Sequence, residues 1–148
     1  MSDPNALDEA ALGPYLAAHV EGFGELVSID KFQAGQSNPT YLLHATGGKF
    51  VLRAKPPGTL LKSAHQVDRE YRVMKALGAT AVPVPRMLHL AGDEESPIGR
   101  MFFVMEFLDG RVLWDPALPD AKDNADRAAI YDAMNATLAA LHDVDIHA

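Results

Sequence analysis

Four short stretches carry residue types that could hold a ligand. Gly35-Gln36-Ser37-Asn38 joins a glycine, which lets backbone approach a ligand closely, to small polar side chains that can donate to phosphate oxygens. It has one glycine where a glycine-rich phosphate loop has three, and an ordinary hairpin turn also accounts for it. Arg53 and Lys55 stand two residues apart at the end of a strand-like run, so the period of a strand puts them on one face. A guanidinium or ammonium there can grip α- and β-phosphates; a pair of exposed strand cations is the plainer reading. Glu70 is an acid in a basic segment, DREYRVMKAL, and its neighbours Arg72 and Lys75 are spaced two and five residues away, poor for a pair along a helix. It is therefore available to a cation on another element. Finally, Met105-Glu106-Phe107-Leu108-Asp109-Gly110 is an apolar run entering an acidic turn. Such a segment can offer one backbone donor and one acceptor to a planar base, although a core strand followed by a turn is the commoner use.

The charge distribution favours an anionic ligand. The chain has 148 residues and a net charge of -7. Residues 31–86 nevertheless hold nine Lys or Arg against two acids, a local charge of +7 between acidic flanks. A positive segment inside an acidic protein suits a compact polyanion such as a nucleotide phosphate, and it could equally be a solvated basic face. The overall acidity argues against a nucleic-acid surface. There are no cysteines, which excludes disulfides and thiolate metal sites. No apolar run approaches a membrane span and no secretory signal is visible, so a cytoplasmic location is expected.

The elements that must position these residues can be read from periodicity. Residues 7–20 are predicted as a helix capped by Asp8, with Pro14 expected to kink or restart it. Residues 26–34, 40–46 and 49–54 read as three strands, the last two joined at Gly47-Gly48, and together they suggest an antiparallel meander. Residues 62–78 take a helical period through Val67, Tyr71, Met74 and Leu77, with Gly78 expected as the residue just past the end. Val82 to Pro85 is an extended linker. Strands are expected at 86–91 and 101–108, the second buried on both faces. A helix is expected at 124–142, with Ile130, Met134, Leu138 and Leu141 on one face. The predicted class is α+β: a five-stranded antiparallel sheet with one main packed helix, flanked by an N-terminal and a C-terminal helix. The expected divisions are an N-terminal helical segment (1–25), a central sheet unit (26–110) and a linker with its helix (111–148).

The stretches AGQSNPTYLL, FVLRAKPPG, VDREYRVMKALG, VPVPRML, FFVMEFLDGRVLWDP and YDAMNATLAALHDVD, in that order, make the chain resemble the aminoglycoside phosphotransferase/choline kinase family, whose fold is related to protein kinases. It is most similar to the bacterial phosphotransferases akin to the kinase-like part of acyl-CoA-dehydrogenase fusion proteins. The resemblance implies an ATP-binding amino-terminal lobe. It places Gly35 to Asn38 over the nucleotide phosphates, Arg53 as the strand cation and Glu70 as its helical partner. It makes residues 106–108 the hinge, with the Glu106 carbonyl and Leu108 amide on adenine and Met105 behind it. Arg53 stands where kinases carry Lys, which changes the geometry of phosphate contact, and Lys55 is the alternative cation.

The resemblance also implies Mg²⁺, held by an Asp and an Asn of a carboxyl-terminal lobe with an HGD-type loop. That loop does not occur in these residues, so no catalytic residue or metal ligand is assigned here. The terminal cluster His142, Asp143, Asp145 and His147 is read as the end of the inter-lobe helix. The expected activity is transfer of the γ-phosphate of ATP to a small-molecule hydroxyl, with the acceptor bound mainly by the second lobe and this lobe inactive alone. A stand-alone, non-catalytic nucleotide-binding or interaction module is the alternative, and self-association through an exposed apolar lobe face is a third possibility.

Overall fold

A computed structural model describes residues 6–33, 37–58 and 66–146. The chain runs α1 (Glu9–His19), β1 (Leu26–Lys31), β2 (Thr40–Ala45), β3 (Gly48–Ala54), α2 (Val67–Leu77), β4 (Met87–Ala91), β5 (Phe102–Glu106) and α3 (Asn124–His142). The five strands form one sheet in the order β1-β2-β3-β5-β4, and every pairing is antiparallel. This is the α+β arrangement expected. The first three strands form the meander. The chain then crosses through α2 to the far edge, and β5 returns to fill the centre.

The turn between β2 and β3 fixes the register of everything that follows. Ala45 lies opposite Gly48, and this closure carries Thr40 to a position opposite Arg53. Gly47 is packed directly on the backbone of Gly22 and Phe23, where a Cβ would collide with carbonyl oxygens, so no larger residue fits that contact. The Gly47 amide donates to the Phe23 carbonyl at 2.9 Å and ties the hairpin tip to the exit of α1.

Helices cover both faces of the sheet. Leu12 and Leu16 of α1 are fully buried with Leu43, Leu52, Phe102 and Val104. On the opposite face, Val67 and Tyr71 of α2 pack on Phe103, with Met74 beside them. Alternation along β5 thus sends Phe102 and Val104 to one layer and Phe103 to the other, which is why the run lacks polar alternation. The N-terminal helix, read from sequence as a separate segment, contributes to the same core as the strands.

Four local expectations need correction. Of the kink or restart expected at Pro14, the restart does not occur, since α1 continues through it. Pro14 and Ala10, whose carbonyl loses its partner, are both exposed, so water can satisfy that carbonyl. Gly78 caps α2 in a right-handed conformation, φ -59°, because the chain continues into two further tight turns, with Ala79 and Thr80 donating to Ala76 and Leu77. The strand predicted over 26–34 stops at Lys31, and the one predicted over 101–108 covers only Phe102–Glu106. Residues 62–65 of the predicted second helix lie outside the described residues.

Asp123 caps α3, accepting from the Asp126 amide at 2.8 Å. None of its residues is buried, and Met134, Leu138 and Leu141 of its predicted apolar face are exposed. It is strapped to the preceding segment: Arg111 makes two hydrogen bonds to Asp126, and Arg127 donates to the carbonyls of Ala117 and Leu118. Among the described residues, no helix is long and apolar enough to cross a membrane.

Candidate functional site

The α2-facing side of the sheet carries a buttressed ion pair at one end of an apolar cleft. Glu70, one turn into α2, reaches down to β3, and its Oε2 accepts from Arg53 Nε at 2.6 Å. Arg72 of the same helix does not compete for it, because it pairs with Asp68 one turn back. Glu70 Oε1 accepts from Asn38 Nδ2 at 2.9 Å, so both carboxylate oxygens are engaged. Arg53 Nη1 donates to Thr40 Oγ1 at 2.9 Å and to the Asn38 carbonyl at 3.4 Å. Three elements therefore hold one guanidinium plane: β3, α2 and the residues leading into β2. Arg53 and Glu70 are each about a third exposed or less. Arg53 Nη2 makes no hydrogen bond among the described residues.

Beside this pair lies a cleft of about 710 Å³. Arg53 and Thr40 line it together with the apolar side chains of Val51 and Met105 and with Glu106 to Leu108. Phe32 and Trp114 stand at its periphery and remain partly or largely exposed. The shape follows from register. Val51 and Arg53 are two apart on β3, and Met105 lies opposite Val51, so all three share the α2 face. The chain leaving β5 is held by Glu106, whose amide donates to the Arg86 carbonyl at 3.0 Å and whose side chain accepts from the Arg86 amide at 2.8 Å. The volume and mostly apolar walls, with one cation at the end, match the usual make-up of a small-molecule site.

Of the residues singled out in the sequence, Arg53, Met105, Glu106 and Leu108 meet at this cleft, and Glu70 is joined to it through Arg53. Lys55 does not join them. Its ammonium pairs with Asp93 at 2.9 Å and lines a separate cavity of about 550 Å³ near Asp8 and Arg100. The Lys55 hydrogen bond holds the Asp93 carboxyl below the usual carboxylate range. Ser37 is exposed, and Asn38 is 3% exposed with its amide turned inward onto Glu70. Gly35 and Gln36 lie outside the described residues. Sequence reasoning passed over Thr40, the hydroxyl that orients Arg53, and the wall residue Val51. Running the hairpin back from Gly47-Gly48 places Thr40 against Arg53, and alternation places Val51 beside it.

Comparison with known proteins identifies the family. Residues 28–148 match the model of the phosphotransferase enzyme family, and the chain belongs to that family. A solved structure from Ralstonia eutropha, assigned as an aminoglycoside phosphotransferase, superposes with a TM-score of 0.78 at 48% identity, over 96% of this chain and 40% of that one. The chain is 44% identical over 144 residues to acyl-CoA dehydrogenase family member 11 of Rattus norvegicus, covering 95% of this chain and 18% of that protein. It is 45% identical to acyl-CoA dehydrogenase family member 10 of Mus musculus over 148 residues, 13% of that protein. The chain thus spans less than a fifth of the curated relatives and under half of the solved neighbour.

Proposed function

We propose that this chain is the ATP-binding lobe of a phosphotransferase that moves the γ-phosphate of ATP to the hydroxyl of a small molecule. The observation that carries the reading is the Arg53–Glu70 pair, with Arg53 lining an apolar cleft and its Nη2 making no hydrogen bond among the described residues. Adenine would lie against Val51 and Met105, with the Glu106 carbonyl and Leu108 amide at its edge, and the phosphates would extend to Arg53 and the 35–38 loop. A locked guanidinium can contact phosphate without a further entropic cost of ordering its side chain.

In the transfer itself the acceptor oxygen bonds to the γ-phosphorus, the bond to ADP breaks, and the hydroxyl proton passes to a base. Mg²⁺ would neutralise the phosphate charge in this chemistry. Among the described residues no cluster of three or more His, Asp or Glu is placed to hold a metal, so no step is assigned to it on this lobe. The HGD-type loop expected of the family is not in these 148 residues, and turnover is expected only from a protein that carries it.

Trp114 is the sole tryptophan and lines the cleft, so its fluorescence reports occupancy directly. Titration of the chain with ATP should change Trp114 emission saturably, and Arg53→Ala should weaken the response about tenfold or more, the loss of a charged hydrogen bond. Equal titration curves for the two proteins would sink the assignment of Arg53.

A further inference from the structure

We infer that Asn38 is a positioning residue that ties the entry of β2 to the Arg53–Glu70 pair, rather than a phosphate ligand; this rests on the reading of the cleft as a nucleotide site. Asn38 touches both members of the pair. Its side-chain amide donates to Glu70 Oε1 at 2.9 Å, and its backbone carbonyl accepts from Arg53 Nη1 at 3.4 Å and from the Thr40 hydroxyl at 3.2 Å. At 3% exposure it has no room to swing toward the cleft while those bonds stand. Pro39 follows directly and restricts the Asn38 backbone to extended conformations. The Pro39 carbonyl is itself taken by the Ala54 amide at 3.0 Å. Asn38 and Pro39 are therefore fixed on the sheet and on α2 together. A displacement of α2 that withdraws Glu70 breaks the side-chain bond of Asn38 while its backbone stays tied to the sheet, so the Asn38 amide is the link between α2 and the entry of β2.

The amide is the group that this role requires. It can only donate to a carboxylate whose other oxygen is held by Arg53, and it brings no charge. A carboxyl in its place is compatible with Glu70 only when the two share a proton, because like charges at hydrogen-bond distance cannot both ionise. Among the described residues the charged group placed against Glu70 from another element is Arg53 of β3. On α2 itself Asp68 and Arg72 pair with each other.

The test uses the whole chain and ATP, with affinity read from Trp114 fluorescence between pH 5.5 and 8 and each variant expressed as a ratio to the unaltered protein at the same pH. Asn38→Ala should weaken binding about tenfold, the effect of an unmade bond to a charged group, at every pH. Asn38→Asp should be weaker still at pH 8 and recover toward the unaltered protein as the pH falls and the introduced carboxyl shares a proton with Glu70. A residue that merely fills space would show no such recovery. Thermal midpoints without nucleotide supply a second readout: Asn38→Asp should lose stability relative to Asn38→Ala as pH rises. Binding by Asn38→Ala equal to the unaltered protein, or a flat ratio for Asn38→Asp, overturns the inference and leaves the nucleotide site standing. An unaltered chain that binds no ATP removes both.

Discussion

The two faces of this sheet are drawn from the same strands, in alternation broken by irregularities in β1 and β4, yet they differ in construction. The α1 face is continuous and apolar: Leu12, Leu16, Phe23, Leu43, Leu52 and Phe102 are all fully buried. The α2 face buries only Val67, Tyr71 and Phe103 as a cluster, then gives way to charged groups and an open cleft. Neighbouring residues of β3 show the division within one strand, with Leu52 in the main core and Arg53 in the ion pair. Apolar packing is concentrated on one side, and the cleft and its ion pair lie on the other. A face left open by a cleft is not sealed by packing, and here the geometry around Arg53 is held by hydrogen bonds to Glu70, Asn38 and Thr40 instead.

The sharpest way to break this comparison is to exchange the effects of mutation. Phe102→Ala removes a fully buried ring at the centre of the α1 face and should cost about 3–5 kcal/mol in urea unfolding. Under conditions where the protein remains folded, its nucleotide affinity should stay within about twofold of the unaltered chain, since the pair and the cleft lie on the other side. Glu70→Ala should do the reverse. Its partner Arg53 is partly solvated, so stability should fall by only about 1 kcal/mol. ATP binding should weaken about tenfold or more, because the guanidinium loses the acceptor that fixes its Nε. Equal losses of affinity in both variants would show that the faces are not separable.

Much of this division could be read from the sequence. The hairpin at Gly47-Gly48, the double-sided run of β5 and the poor local pairing of Glu70 each follow from spacing, and α3 matches its predicted bounds residue for residue. What escaped prediction depends on contacts between elements. Lys55 shares a strand period with Arg53, but it lies just beyond the end of β3, where the Asp93 carboxylate from the β4–β5 turn captures it. Asn38 belongs to a loop with the composition of a phosphate binder, and only the position of α2 turns its amide inward. Pro14 lies inside α1 against its intrinsic propensity, in a helix held to the sheet by the buried Leu12 and Leu16. Alternation and turn chemistry are local and survive in the sequence; the partner of a charged side chain is decided by whichever element arrives beside it.

The smallest expected effect sharpens the comparison from the α1 side, where the few polar groups serve packing. The Tyr15 hydroxyl on α1 lies 2.9 Å from His89 Nε2 on β4, and the His19 ring stacks on Tyr15 at 4.1 Å between centroids. Burial holds His89 below its ordinary value, the neighbouring His19 adds to this, and Glu95 opposes it. The folded protein therefore takes up this proton less readily than the unfolded chain, whose histidine titrates near pH 6.5. The unfolded state binds more protons in that window, so stability is full above about pH 6.5 and is lost as pH falls through the lowered value of the folded state. The thermal midpoint should fall between pH 7.5 and 5.5, above the range where the carboxylates titrate. His89→Gln, which keeps a polar partner for Tyr15 but cannot titrate, should flatten that fall. An equally steep fall in His89→Gln would mean that α1 is docked by its apolar residues alone and that the histidine merely fills space between the helix and β4.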